Sequence, residues 1–142
     1  MLKVARDRKN LYFYARTRAP IAPPGGPNWM VLLLNTDADP STGWEGYDYI
    51  VNHTIRGGSR GVLERHLSGW TWKPVAEVRF VVRGNELHLA IPRRALGLEA
   101  KQGPLGLEFK WVDNVPDSGD ILDYIDQGDA APNGRYAYRF TE

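Results

Sequence analysis

Residues 75–92 read Val-Ala-Glu-Val-Arg-Phe-Val-Val-Arg-Gly-Asn-Glu-Leu-His-Leu-Ala-Ile-Pro, and this stretch decides the fold. Val78, Phe80 and Val82 alternate with Arg79. Leu87, Leu89 and Ile91 then alternate with His88, so both arms carry the period of two that a half-buried strand requires. Gly84-Asn85 between the arms is a two-residue hairpin turn, which makes the pair antiparallel. Beyond it, Pro92 to Gly97 suits one helical turn, with Pro at the first helical position and Gly just past the last.

The same pattern continues in both directions. Leu11, Phe13 and Ala15 alternate with Tyr12, Tyr14 and Arg16, which is a strand rich in aromatics. Residues 19–28 hold Ala-Pro-Ile-Ala-Pro-Pro-Gly-Gly-Pro-Asn, a loop crossing between layers. Trp29 to Asn35 is continuously apolar and reads as a strand buried on both faces. Thr36 to Gly46 is a polar loop. Tyr47 to Ile55 follows as a strand expected to present Tyr47, Tyr49, Val51, His53 and Ile55 on one face. Arg60 to Leu67 is a shorter strand, closed by the Ser68-Gly69 turn. Leu107, Phe109 and Trp111 mark another. Asp113 to Asn133 reads as loop with a short strand at Ile121 to Ile125, and Tyr136, Tyr138 and Phe140 line the last strand. The expected fold is an all-β, jelly-roll-like antiparallel β-sandwich of eight to nine short strands and one helical turn, spanning residues 1–142 as a single module.

Composition excludes several functions. The 142 residues carry 18 Lys plus Arg against 17 Asp plus Glu, a net charge of +1, so no strongly basic surface for nucleic acid is expected. There is no Cys, which removes disulfide scaffolds, thiolate zinc sites and thiol catalysis, and 3 His make a His-rich metal centre improbable. Met30 to Leu34 is far too short an apolar run to span a membrane, and the charges at Lys3, Arg6, Asp7, Arg8 and Lys9 break up any leader-like segment. Leu2 to Ala5 reads as the tail of a strand already under way. The expectation is therefore a module cut from a longer secreted chain, extracellular or periplasmic.

Motifs of phosphate loops, dinucleotide folds, serine hydrolases and zinc proteases are missing. The acidic run Asp113, Asp117, Asp120, Asp123, Asp126 and Asp129 offers a carboxylate pair for glycoside hydrolysis, or simply turn-capping Asp residues. The latter reading is preferred, and the chain is expected not to be an enzyme. His53, His66 and His88 read as ordinary sheet residues. The five Trp are more informative. Trp111 is in phase with Leu107 and Phe109 and reads as core, while Trp29 suits core or a loop-rim site. Trp44 sits in a polar loop as a lid or a ligand contact. Trp70 and Trp72 flank Thr71; in extended backbone their rings share one face about 7 Å apart. Such rigid indoles form a stacking platform for the apolar face of a sugar ring, with Glu64, Arg65 and Lys73 as polar neighbours. Asp37 and Asp39 stand at alternate positions in a tight loop, with Asp48 close behind, which is the oxygen-rich spacing that Ca²⁺ takes.

Several segments together resemble family 9 carbohydrate-binding modules and the wider class of DOMON-like sandwiches. They are Asn10 to Thr17; Pro27-Asn28-Trp29 leading to Leu34-Asn35-Thr36-Asp37; Thr42 to Tyr49; Gly84 to Pro92; and Leu107 to Asn114. The resemblance covers nearly the whole chain. It implies a β-sandwich, structural calcium, and non-catalytic binding of a plant-type polysaccharide, β-glucan or xylan, beside the catalytic domain of a secreted glycoside hydrolase. It also implies a clamp of two aromatic walls around a terminal sugar. Trp29 matches the first wall. Residues 126–134 carry no Trp, which leaves Tyr124 or Trp44 as the second. The ligand-binding set is thus Trp29, Trp44, Trp70, Trp72, Glu64 and Arg65, and the metal set Asp37, Asp39 and Asp48. The rival readings are a haem-holding redox domain using Met30 and a His, a small hydrolase, and a structural spacer.

Overall fold

The computed structural model describes residues 1–26, 28–99 and 104–142. The expected all-β antiparallel architecture is present. Ten strands appear among the described residues: β1 (Leu2–Arg6), β2 (Asn10–Arg16), β3 (Val31–Asn35), β4 (Tyr49–Ile55), β5 (Arg60–Ser68), β6 (Thr71–Arg83), β7 (Glu86–Pro92), β8 (Gly106–Asp113), β9 (Asp129–Ala131) and β10 (Tyr138–Thr141). They form one continuous sheet in the order β1-β2-β7-β6-β5-β4-β3-β8-β10, with β9 also paired to β8. The sheet curls into a half-barrel. Phe13 of β2 and Phe109 of β8 lie six places apart in that order, yet their rings meet edge to face at 5.5 Å, so the two halves close on each other as in a sandwich.

Alternation sets the inner core. Leu11, Phe13, Leu87, Leu89, Val78 and Phe80 point inward and are buried. The opening hairpin pairs as read, with Phe80 opposite Leu89 and Arg83 opposite Glu86. Arg93–Leu96 forms the expected single turn, though 3-10 in type, and Gly97 ends it at φ 67° with its N–H on the Arg93 and Arg94 carbonyls.

The continuously apolar β3 is buried on both faces, as its sequence demands. Leu32 and Leu34 enter the inner core. Val31 and Leu33 face the opposite way, into a second apolar layer with Ile50, Val112 and Tyr124. Two loops roof this outer layer: residues 36–48 and residues 114–128. Lys110 points outward from β8 and is 1% exposed, its Nζ donating to the carbonyls of Pro132, Gly134 and Tyr136 at 2.7, 2.6 and 3.3 Å. A buried ammonium thereby gains three acceptors, and the chain leading to β10 is pinned to the sheet.

Three local expectations are corrected. Tyr47, Tyr49, Val51 and His53 do not share a face. Asn52 takes φ 65°, is fully buried and donates to the Met30 carbonyl at 3.1 Å, which breaks the register between Val51 and Ile55 and turns His53 outward. Tyr47 precedes the strand in a tight bridge with Trp44 and packs in the outer layer. Residues 121–125 are not a strand. Asp120 accepts the Leu122 N–H at 2.9 Å and starts a turn that continues into α1 (Asp123–Asp126), which drops Tyr124 into the outer layer. β6 also begins earlier than read, at Thr71, with Pro74 tolerated beside a register shift.

Candidate functional site

The second layer brings together most of the residues singled out from sequence. Trp70 and Trp72 emerge on the outer side at the start of β6, on the same face as expected, with centroids 5.5 Å apart. They are perpendicular at 88°, so they form a corner and not one flat platform. Both rings are half-buried. Trp44 reaches in from the 36–48 loop and meets Trp70 at 4.6 Å and Trp72 at 6.5 Å. Tyr124 completes the cluster at 5.1 Å from Trp44 and 5.6 Å from Trp70. Trp44 itself is 7% exposed and its Nε1 donates to the Gly119 carbonyl at 3.2 Å, so it acts as a lid over the layer.

A polar chain runs along one side of the cluster. His53 Nε2 lies 2.8 Å from Asp117 Oδ1, and Trp70 Nε1 donates to the same oxygen at 3.0 Å. On its other side His53 Nδ1 stands 3.4 Å from Glu64 Oε2. The hydrogen-bonding Glu64 carboxylate raises the His53 pKa above its usual value; burial opposes this, and Asp117 adds to it. Burial alone would raise the Asp117 carboxyl, but the hydrogen bonds from His53 and Trp70 outweigh it and hold that carboxyl below the usual range. His66 continues the surface: its ring meets Trp72 at 5.3 Å and its Nε2 donates to the Gly69 carbonyl at 2.9 Å. Trp72 Nε1 is buried without a hydrogen-bond partner among the described residues.

Other expected site residues fall elsewhere. Trp29 is 5% exposed in the inner core, tilted against Phe80 at 5.1 Å, with its Nε1 donating to the Ala22 carbonyl at 2.9 Å. It is remote from Trp44 and Tyr124, which belong to the outer layer, so the expected clamp is not assembled. Glu64 is 6% exposed and serves His53 and Thr54, leaving it no open edge toward a ligand. Arg65 is exposed but pairs with Tyr49 in register, and alternation puts it on the opposite face from Glu64.

Asp37, Asp39 and Asp48 are held by their own loop. Asp37 accepts from the Asp39 N–H and the Thr42 hydroxyl at 2.8 and 2.9 Å, Asp39 from Ser41, and Asp48 from the Thr36 N–H at 2.7 Å. Asp37 and Asp48 approach the same Thr42 hydroxyl, at 2.9 and 3.2 Å. No cluster of three metal-ligating side chains occurs among the described residues. Asp113 and Asp120 likewise serve backbone N–H groups, at Met30 and Leu122. Met30 borders a cleft of about 590 Å³ between β1 and the β8–β10 edge, beside Leu2, Trp111 and Phe140, and no His lines that cleft. The Met–His pair a haem would use is therefore not brought together. No described helix is long and apolar enough to cross a membrane.

The network around His53 was not legible from sequence, because it depends on the Asn52 kink. No family model, curated protein or solved structure matches this chain. The functional reading therefore rests on the residues themselves.

Proposed function

We propose that this chain is a non-catalytic carbohydrate-binding module for a plant-type polysaccharide, β-glucan or xylan, working beside a catalytic domain of a secreted glycoside hydrolase, as its resemblance to family 9 modules implies. The observation that carries the reading is the corner made by Trp70 and Trp72. Trp72 is half-buried beside a perpendicular partner and keeps an indole N–H without an acceptor. A sugar in that corner stacks its C–H face on the solvent-facing part of one ring and meets the perpendicular ring at its edge. His66 and Asp117 border the corner and supply polar contacts for a sugar rim, while Lys73, paired with Arg65, alternates to the other face. Structural calcium belongs to the same proposal: Asp37 and Asp48 already converge on one hydroxyl, and Asp39 is two residues away.

Native affinity electrophoresis through gels containing β-glucan or xylan, with and without EDTA, tests it. Retardation of the wild-type chain, weakened in Trp72→Ala, supports the reading. Unretarded migration in both gels contradicts it. A second reading, a spacer module, draws on the use of the Trp70 and Trp44 N–H groups to fasten the 114–128 loop. Full retention in folded Trp70→Ala and Trp72→Ala would favour it.

A further inference from the structure

The outward side of β1, β2, β7 and the second half of β6 forms a second surface, beyond the tryptophans along the sheet and with its own chemistry. Strand register lays it out in rows. Ala5, Tyr12, Ala90 and Arg79 form one row, and Lys3, Tyr14, His88 and Val81 the next. Arg16, Glu86 and Arg83 follow. Alanines on both sides of Tyr12 lower the floor there, and a dish of about 520 Å³ opens, mostly apolar in its lining. Tyr12 is 39% exposed and Val81 50%, so these side chains face solvent. Tyr14 is less free: His88 packs edge-on against it at 4.9 Å and the Lys3 ammonium rests over its ring at 5.6 Å.

The charges on this face are unevenly spent. The two carboxylates beside the dish are engaged by tyrosines, Tyr12 donating to Asp7 at 2.7 Å and Tyr14 to Glu86 at 2.7 Å, while Glu77 further along β6 pairs with Arg60. Lys3, Arg16, Arg79 and Arg83 form no ion pair among the described residues. An open aromatic ring over a shallow apolar floor, edged by unpaired cations, calls for a ligand with an apolar face and a negative group.

We propose that this face binds a carboxylate-bearing sugar, a uronate unit of an acidic polysaccharide. Its ring lies over Ala90 against Tyr12, and its carboxylate is taken by Arg79 on the neighbouring strand. The fixed carboxylates favour this ligand over a phosphodiester chain. Asp7 and Glu86 each keep lone pairs that accept sugar hydroxyls, while they repel a dense run of phosphates. The inference rests on the carbohydrate reading above but concerns a different region of the outward side and a different sugar.

The test is calorimetric titration of the whole chain with an oligogalacturonate and, separately, with a cello-oligosaccharide. The proposal expects oligogalacturonate binding that weakens as salt rises. Tyr12→Ala and Arg79→Glu each lower that affinity by about fivefold or more, the loss expected when a stacking ring is removed. Ala90→Leu fills the dish and lowers it as well. Arg79 is exposed and unpaired, so Arg79→Glu keeps the wild-type melting temperature and its loss of binding cannot be unfolding. None of these changes affects the cello-oligosaccharide, whereas Trp72→Ala weakens that ligand alone. Absence of oligogalacturonate binding overturns the proposal. So does full affinity in Tyr12→Ala and Arg79→Glu, or stronger displacement by a single-stranded oligonucleotide of equal charge. If oligogalacturonate binds and Arg79→Glu abolishes it while the cello-oligosaccharide never binds, this face stands and the tryptophan corner falls.

Discussion

Asp117 Oδ1 stands 2.8 Å from His53 Nε2, and this pairing ties the loop over the tryptophan cluster to the central sheet. The same oxygen receives the Trp70 indole N–H, so one carboxylate positions both the loop and the ring. Glu64 braces His53 from behind. The arrangement fixes how the stability of the chain responds to pH.

The sign follows from linkage. His53 is held above its usual pKa, chiefly by Glu64, against burial and with help from Asp117. Its contribution is complete below the unfolded value of about 6.5 and is lost as pH rises through the native value. Asp117 is held low, so its contribution is complete above the unfolded value of about 3.9 and is lost as pH falls through the native one. Thermal melts across this range should show a fall in melting temperature on the alkaline side that His53→Gln removes. An identical slope in the variant would show that His53 is not the titrating group.

Gly119 lets the loop approach the cluster. Its φ is +70°, and a Cβ there would meet Trp70 Cγ at 2.4 Å. Gly57 has a similar φ of +74° with open space around it. Gly57→Ala should therefore cost only the left-handed conformation, about 1 kcal/mol. Gly119→Ala adds displacement of a packed ring and should cost about 3 kcal/mol. Urea denaturation of the two variants checks this, and equal losses would contradict the placement of the loop.

Lys110 makes a third case. Lys110→Met leaves the Pro132, Gly134 and Tyr136 carbonyls without their shared donor. A loss of about 3 kcal/mol is expected, from buried acceptors left unpaired. Lys110→Arg should recover part of it only if the larger head fits. A neutral Lys110→Met by chemical denaturation would show that the chain before β10 is held by other contacts.

Calcium is tested through the melting temperature, since a ligand of the folded state alone must raise it. Millimolar Ca²⁺ should raise it relative to EDTA in the wild type and not in Asp37→Asn. Equal melting temperatures in the wild type would remove calcium from the account.

Reading the sequence worked wherever alternation was unbroken. Leu87, Leu89 and Ile91 sit inside as their spacing demands, and β3 is buried on both sides because every residue of it is apolar or capped. It failed where one residue changes the backbone course. Asn52 at positive φ reverses His53, and nothing in the string Val-Asn-His-Thr announces that. The sequence reads Tyr124 as part of a short strand and a candidate clamp wall, whereas the turn at Asp120 leads into α1 and sends it inward. Trp70 and Trp72 were placed on one face correctly, but their perpendicular packing depends on Trp44, which arrives from another loop. Tyr12 and Tyr14 were visible as the outward half of β2, yet the dish beside Tyr12 needs the register that sets Ala5 and Ala90 next to it.

The most direct measurement of the central claim is titration of the tryptophan variants with xylan and β-glucan oligosaccharides, with melting temperature recorded on each. Wild type should bind one of the two. Trp72→Ala should lose roughly five- to 150-fold in affinity, the equivalent of about 1–3 kcal/mol for one stacking ring, and stay folded. Trp29→Ala, cut from the inner core, should lose stability first. Undiminished affinity in a folded Trp70→Ala, Trp72→Ala double variant, or no binding of either oligosaccharide by the wild type, would contradict the assignment of this corner to sugar.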